Sequence, residues 1–273
     1  MSDTFIDRTT DRSSLLKALG AIVLHRELLR NLVSRDLKLK YRGSVLGFLW
    51  SMANPLAMVG VYTLAFKYIF QNTQPGYPYF VMLGVLAWTF FSNAAMMSTG
   101  SIVESAGLIR AVRFPRAILP LATVLFNLAQ YLLTLLAFLP IMLIVLGVPP
   151  AWPMLLFPLI LALQVVFTVG VALLLSAATA HFRDVRHLVD VALPMLFWTT
   201  PIVYAMSMVP TWLQPLVRLS PLSPFIVTYQ RIFYERAWPD ASMWLVAGAY
   251  SLGMLTLGAA VFRHFERDLS DQL

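Results

Sequence analysis

Three short charged clusters hold most of the chemistry this 273-residue chain offers. The first is Lys38-Leu39-Lys40-Tyr41-Arg42, which sets three cations within five residues. A guanidinium donates two parallel hydrogen bonds to a phosphate, so Lys40 and Arg42 could hold the phosphate of a bound ligand. The same cluster could instead attract anionic lipid head groups without specificity. The second is Gly107-Leu108-Ile109-Arg110 followed by Arg113-Phe114-Pro115-Arg116. The third is His181-Phe182-Arg183-Asp184-Val185-Arg186-His187. Each is short and charged, with an apolar residue in its middle. Such loops either anchor helix ends or offer a handle on which a separate motor protein pushes.

Other chemistries are missing from the sequence. There is no cysteine, hence no disulfide, thiolate metal site or cysteine nucleophile. No G-x-x-x-x-G-K-[ST] run cradles nucleotide phosphates. His25, His181, His187 and His264 have no metal-ligand spacing, and no G-x-S-x-G turn is present. We therefore expect neither catalysis nor a bound cofactor or metal in this chain.

The elements that position the clusters follow from composition. Apolar residues make up 59% and charged residues 12%, half the usual charged fraction of about a quarter in a soluble domain. Mean hydropathy is +0.74. One core cannot hide that much apolar surface, so the expected fold is all-α and polytopic in a membrane. Six runs reach bilayer length: Val45–Phe70, Tyr79–Val103, Ile118–Val148, Trp152–Ala180, Leu188–Val209 and Ser242–Phe262. Asn54-Pro55, Pro140, Pro158 and Pro194 are candidate kinks, because each proline removes a backbone donor. Ionisable residues are almost absent within the runs; Lys67 lies near an outer end and Asp190 near an inner one. A charge at mid-membrane costs about 2.5–3.5 kcal/mol and is kept for function, so its absence argues against a proton-driven carrier.

Residues 1–44 form the only long polar stretch, and nine of the twenty Lys/Arg lie there. The first apolar run starts too late for a cleaved signal peptide. Within Leu28–Leu39 the residues Leu28, Leu29, Leu32, Val33 and Leu39 gather on one helical side, interrupted by Asp36 and Lys40. That pattern predicts an amphipathic helix lying in the membrane interface, the alternative being a soluble helix packed on a partner. Sixteen Lys/Arg fall in the N-terminal region, the 104–117 and 181–187 loops and the tail from 263, against four in the alternate connections. This positive-inside bias predicts both termini in the cytoplasm. It also accounts for the net charge of +7 through topology and membrane lipids, without nucleic acid. The expected organisation is a cytoplasmic and interface region (1–44), a transmembrane domain (45–262) and a cytoplasmic tail (263–273). Between the fifth and sixth runs, about 210–241, five prolines alternate with Trp212, Leu213, Phe225, Ile226 and Phe233. That stretch is too broken to span and too apolar for a loop, so re-entrant outer helices covered by protein are expected.

At these residues the chain resembles a known family. Leu39-Lys40-Tyr41-Arg42-Gly43-Ser44-Val45-Leu46-Gly47-Phe48-Leu49-Trp50-Ser51, followed by Asn54-Pro55-Leu56, is similar to the opening segment of polysaccharide and polyol-phosphate export permeases. These are the membrane subunits of ATP-binding-cassette exporters for O-antigen, capsule and teichoic acid. Gly107–Ile109 through Phe114-Pro115-Arg116-Ala117-Ile118-Leu119-Pro120 looks like the family's first cytoplasmic loop, and Phe182-Arg183-Asp184-Val185-Arg186-His187 like its second. Pro201-Ile202-Val203-Tyr204, with Pro210, resembles the outer end of its fifth helix; Ser220-Pro221 departs from the Asn-Pro of many relatives. The resemblance implies a homodimer in the bacterial cytoplasmic (inner) membrane, bound to two copies of a nucleotide-binding ATPase subunit that carries ATP and Mg. It implies a substrate polysaccharide built in the cytoplasm on polyprenyl pyrophosphate, as in lipopolysaccharide biosynthesis. Arg110, Arg113, Phe114, Arg183 and Asp184 would then contact the ATPase, and Lys40 and Arg42 the lipid pyrophosphate. A polymer path between two copies needs many weak contacts; sugar C–H faces pack on aromatic rings, and Tyr62, Trp88 and Tyr204 are the candidates. The same rings could equally face lipid as an interfacial belt.

Competing readings are a drug- or lipid-exporting permease of the same broad class, an intramembrane lipid-linked transferase and a structural membrane scaffold. A transferase should carry acidic or His clusters for metal-pyrophosphate chemistry, and the sequence has none. A scaffold has no need of broken outer helices.

Overall fold

The computed structural model describes residues 25–43, 49–71, 73–112, 114–145, 147 and 149–272. Among these residues the protein is helical, with no strand. An N-terminal helix, α1 (Arg26–Tyr41), precedes α2 (Leu49–Leu64), which continues into a π-helical turn, Ala65–Ile69. Then come α3 (Tyr77–Gly100), the short α4 (Ala106–Ala111) and α5 (Ile118–Val145). A 3-10 turn, Trp152–Leu156, leads into α6 (Phe157–His181), and a tight turn into α7 (Val185–Thr199). Two short helices, α8 (Gln214–Leu219) and α9 (Ser223–Tyr229), precede the long α10 (Ala241–Gln272), with a π-helical turn at Gln230–Tyr234 between α9 and α10.

Among the described residues four helices are long and apolar enough to cross a membrane: Tyr77–Gly100, Ile118–Phe138, Trp152–His181 and Ala241–Phe265. They coincide with the second, third, fourth and sixth expected runs. The first run is seen as the 16-residue α2 plus its five-residue π turn; residues 44–48 lie outside the described residues. The expected fifth span, Leu188–Val209, is not one helix. α7 has 15 residues, about 22 Å at 1.5 Å per residue, short of a hydrocarbon core near 30 Å. Its end has a local cause: Thr200 is extended (φ −106°, ψ 136°), the conformation that the following Pro201 imposes. The expected cytoplasmic tail is likewise continuous with the last helix, which runs on to Gln272.

α3 is the central post. Its residues are buried nearly all round, from Tyr77 to Gly100, and α2, α5, α6, α7 and α9 pack against it. The first turn is set by Gly76 in the left-handed region (φ 62°) and by Pro78, whose missing N–H costs nothing at that position. α6 and α10 form the most extensive pair. They meet at Gly170 and Gly258, where a Cβ on Gly258 would lie 2.0 Å from the Gly170 carbonyl oxygen. Backbones approach this closely only over glycine, the small-residue packing typical of helices in lipid.

α1 is docked on the rest of the chain. Leu32 is buried, and Leu28, Leu29 and Val33 join it against Ile102, Ile118, Leu119 and Phe262. The apolar face of this amphipathic helix therefore packs on the chain's own core, while Leu39 stays 58% exposed.

Candidate functional site

The C-terminal turn of α1 delivers Lys40 to a cavity of about 310 Å³ between α1, α2, α3 and α5. Its ammonium donates to Oε1 of Gln130 and lies 5.8 Å from the centroid of the Phe126 ring. Desolvation there holds the Lys40 pKa below the usual lysine value. Arg42 does not share the cavity: it follows α1 in extended conformation (φ −65°, ψ 127°) and is exposed. Both cations are exposed, and they differ in that Lys40 lines the cavity and Arg42 does not.

Polar side chains on helical spacing line this cavity. Asn127, Gln130 and Thr134 come from one face of α5, and Thr89 and Asn93 from one face of α3. Thr134 Oγ1 donates to the Gln130 carbonyl at 2.8 Å and Thr89 Oγ1 to Val85 at 2.7 Å. Asn127 Nδ2 reaches the Thr123 carbonyl at 2.9 Å. Gln130 is 8% exposed, and its buried Nε2 has no partner. None of these residues stands out in the sequence. The signal is there, as polar groups at i, i+3 and i+7 inside an apolar run, but only the lysine declares itself by charge.

The two expected coupling loops lie together. α4 and the turn after it carry Arg110, exposed, and Phe114, half-buried on the small core beneath α1. Arg113 lies outside the described residues. Arg183 and Asp184 are exposed in the α6–α7 turn, beside Phe182 at 62% exposure. Arg186 Nη1 stands 3.6 Å from Glu104 Oε1, tying one loop to the other. A second groove of about 600 Å³ opens here, bounded by Arg35 and Asp36 of α1, Gly100, Glu104 and Arg186.

Tyr62, Trp88 and Tyr204, expected from different spans, are gathered around the end of α7. Tyr62 stacks on Phe197 at 5.6 Å and meets Trp198 edge-on at 6.5 Å. Trp88 meets Phe197 edge-on at 5.4 Å, and the Tyr204 hydroxyl donates to the Trp198 carbonyl at 2.8 Å. Exposure differs sharply within the group: Trp88 is 8% exposed and Trp198 57%.

The broken segment after α7 is covered by protein only in part: Trp212, Leu216, Leu219 and Trp238 are exposed, against the expectation of a wholly covered stretch. Ile202 and Val203 are buried, and Gln230 Nε2 donates to the Pro201 carbonyl at 2.9 Å. Ile202 presses so closely on α3 that a Cβ at Gly84 would lie 2.8 Å from its carbonyl oxygen. In α9 and the following turn, Phe225, Ile226, Tyr229 and Ile232 are fully buried.

Apolar helices of spanning length and a core held by close glycine contacts define a polytopic membrane protein. The chain belongs to the ABC-2 type transporter family, whose profile matches residues 27–234. It is 32% identical over 264 residues to the O-antigen export system permease protein RfbA of Myxococcus xanthus, covering 95% of this chain and all of that protein. The protein of the same name from Klebsiella pneumoniae is 33% identical over 211 residues, 76% of this chain and 80% of the relative. The polysialic acid transport protein KpsM of Escherichia coli is 23% identical over 182 residues, 64% of this chain and 69% of that one. The resemblance noted in the sequence is borne out at the level of this family.

Proposed function

We propose that the chain is the membrane subunit of an exporter that moves polyprenyl-pyrophosphate-linked polysaccharide across the bacterial inner membrane. The observation that carries this reading is the 32% identity to an O-antigen export permease along that relative's whole length. Two copies of the chain join two copies of a separate ATPase, on which ATP and Mg reside. The sequence has no phosphate-binding loop of its own, and its long apolar helices carry almost no ionisable groups. Six crossings place both termini in the cytoplasm: α2 with its π turn makes the first, and α7 with residues 200–209 the fifth. The 104–117 and 181–187 loops, joined through Arg186 and Glu104, then face the ATPase as one docking surface.

The test is removal of the gene in its own host, with surface polysaccharide detected by antibody or lectin and undecaprenyl-linked polymer measured inside. Loss from the surface with accumulation inside, reversed by the intact gene, is the expected result. Unchanged surface polysaccharide would end this reading.

A further inference from the structure

The cavity reached by Lys40 is built for a ligand that brings both acceptors and donors. Gln130 Nε2 is a buried amide donor with nothing to donate to; a group of this kind is stranded at a cost unless something else occupies the space. Lys40 supplies a cation, and among the described residues no carboxylate forms an ion pair with it. The cavity wall contains no acidic residue. An anion fits these two groups. The threonine hydroxyls complement a different part of the ligand: Thr89 and Thr134 give their protons to helix carbonyls, so their oxygens remain as acceptors for ligand hydroxyls. Phe90 and Tyr131, 5.6 Å apart and both nearly buried, add an aromatic wall suited to C–H faces. About 310 Å³ lies at the small end of the ligand-site range, enough for one sugar ring with phosphate and too small for a polymer.

We infer that this cavity seats the lipid-proximal sugar and phosphate of the substrate, a glycosyl pyrophosphate, with Lys40 and Gln130 on the phosphate and Thr89 and Thr134 on the sugar. The inference rests on the export function proposed above and gives it a binding site distinct from the aromatic cluster at α7.

The experiment uses the full complex with its ATPase in phosphatidylcholine nanodiscs and a fluorescent polyprenyl-pyrophosphoryl-N-acetylglucosamine probe. Lys40→Met and Gln130→Leu should each raise Kd about tenfold or more, what losing one hydrogen bond to a charged group implies. Thr134→Val should weaken this probe but not polyprenyl pyrophosphate without sugar. Because the chain has no cysteine, Asn93→Cys provides a single label at the cavity. The sugar-bearing probe should slow its maleimide modification, and phosphatidylglycerol at the same mole fraction should not. Equal protection by phosphatidylglycerol would make this a general anionic-lipid site and overturn the assignment. So would wild-type affinity in Lys40→Met and Gln130→Leu complexes that copurify normally with the ATPase, or modification of Asn93→Cys unaffected by the probe. The two readings fail separately. If the intact gene restores surface polysaccharide and the wild-type complex does not bind the probe, only the cavity assignment falls.

Discussion

The phenol of Tyr229 donates a 2.7 Å hydrogen bond to Oε1 of Gln164, and both side chains are buried. Gln164 Nε2 in turn donates to the Ala87 carbonyl at 3.0 Å. One glutamine on α6 thereby fastens the central helix α3 to the short helix α9. Tyr229→Phe leaves the buried Gln164 Oε1 without that donor, a loss of about 1–3 kcal/mol. The expected outcome is a lower midpoint of thermal unfolding in detergent with the helical content unchanged. Unaltered stability would mean that the α9 contacts are carried by packing alone.

The Gly170–Gly258 contact gives a sharper prediction. At Gly258 the obstacle to a Cβ is the backbone oxygen of Gly170, which no rotamer change can move. Gly258→Ala must push α6 and α10 apart, and overpacking of this kind costs about 1–3 kcal/mol or more. Reduced amounts of protein in the membrane and a lowered unfolding midpoint are expected. Gly248, on the same helix, is the control, because no heavy atom lies within 4 Å of where its Cβ would stand. Gly248→Ala should be neutral or slightly stabilising, since alanine is the better helix former by about 1 kcal/mol.

These two contacts also mark what the sequence could disclose. Helix length and apolar character are local properties, so the runs that became α3, α5, α6 and the start of α10 were legible within a few residues, whereas the ten-residue continuation of α10 through the expected tail was not. Hydropathy also counted Ile202 and Val203 as part of a fifth span. It could not weigh Pro201, which ends α7 at Thr199, against partners distant in sequence. Those partners, Gly84 on α3 and Gln230 beyond α9, bury the extended segment inside protein. The candidate site was half visible for the same reason. Lys40 declared itself by charge, whereas Gln130, its partner 90 residues away, is one polar residue in an apolar run until the fold brings them together.

The sixteen-to-four charge split predicts that both termini are cytoplasmic. Reporter fusions at Gly76, Gly147 and Asp240 should report the outer side, and fusions at Arg113 and Arg186 the cytoplasm. A cytoplasmic signal at Asp240 would remove the fifth crossing and with it the six-span arrangement, since the 15-residue α7 then need not cross the membrane.

Coupling to the ATPase requires a contact that transmits force, and the exposed Arg183 and the half-buried Phe114 at the joined loops are the candidates. Phe114→Glu with Arg183→Glu places two carboxylates where an apolar ring and a cation now stand. Copurification of the ATPase should weaken and ATP turnover should no longer drive export. The Arg186–Glu104 pair is itself exposed, so breaking it should cost under about 1 kcal/mol of stability. Any larger effect of Arg186→Ala on export would therefore come from the docking surface. Normal assembly and export in the Phe114→Glu, Arg183→Glu chain would refute the contact.

The aromatic cluster at α7 separates a path role from a packing role. Trp88 is nearly buried between Phe91 and Phe197, at 6.0 and 5.4 Å, so its ring meets a polymer only if α7 moves away from α3. Replacing it removes a large core side chain; Trp88→Ala should cost about 3–5 kcal/mol and reduce export through lost protein. Tyr62 and Tyr204 are half-buried, next to the exposed Trp198, and their removal leaves the core largely filled. Tyr62→Ala and Tyr204→Ala should keep ATPase activity and membrane levels near those of the wild type while export of long polymer falls. The measurement is export per ATP hydrolysed, normalised to protein in the membrane, for each variant in the assembled complex. Wild-type export efficiency in both tyrosine variants would show that sugars do not pass along this cluster, and the rings would then serve to hold α7 against α2 and α3.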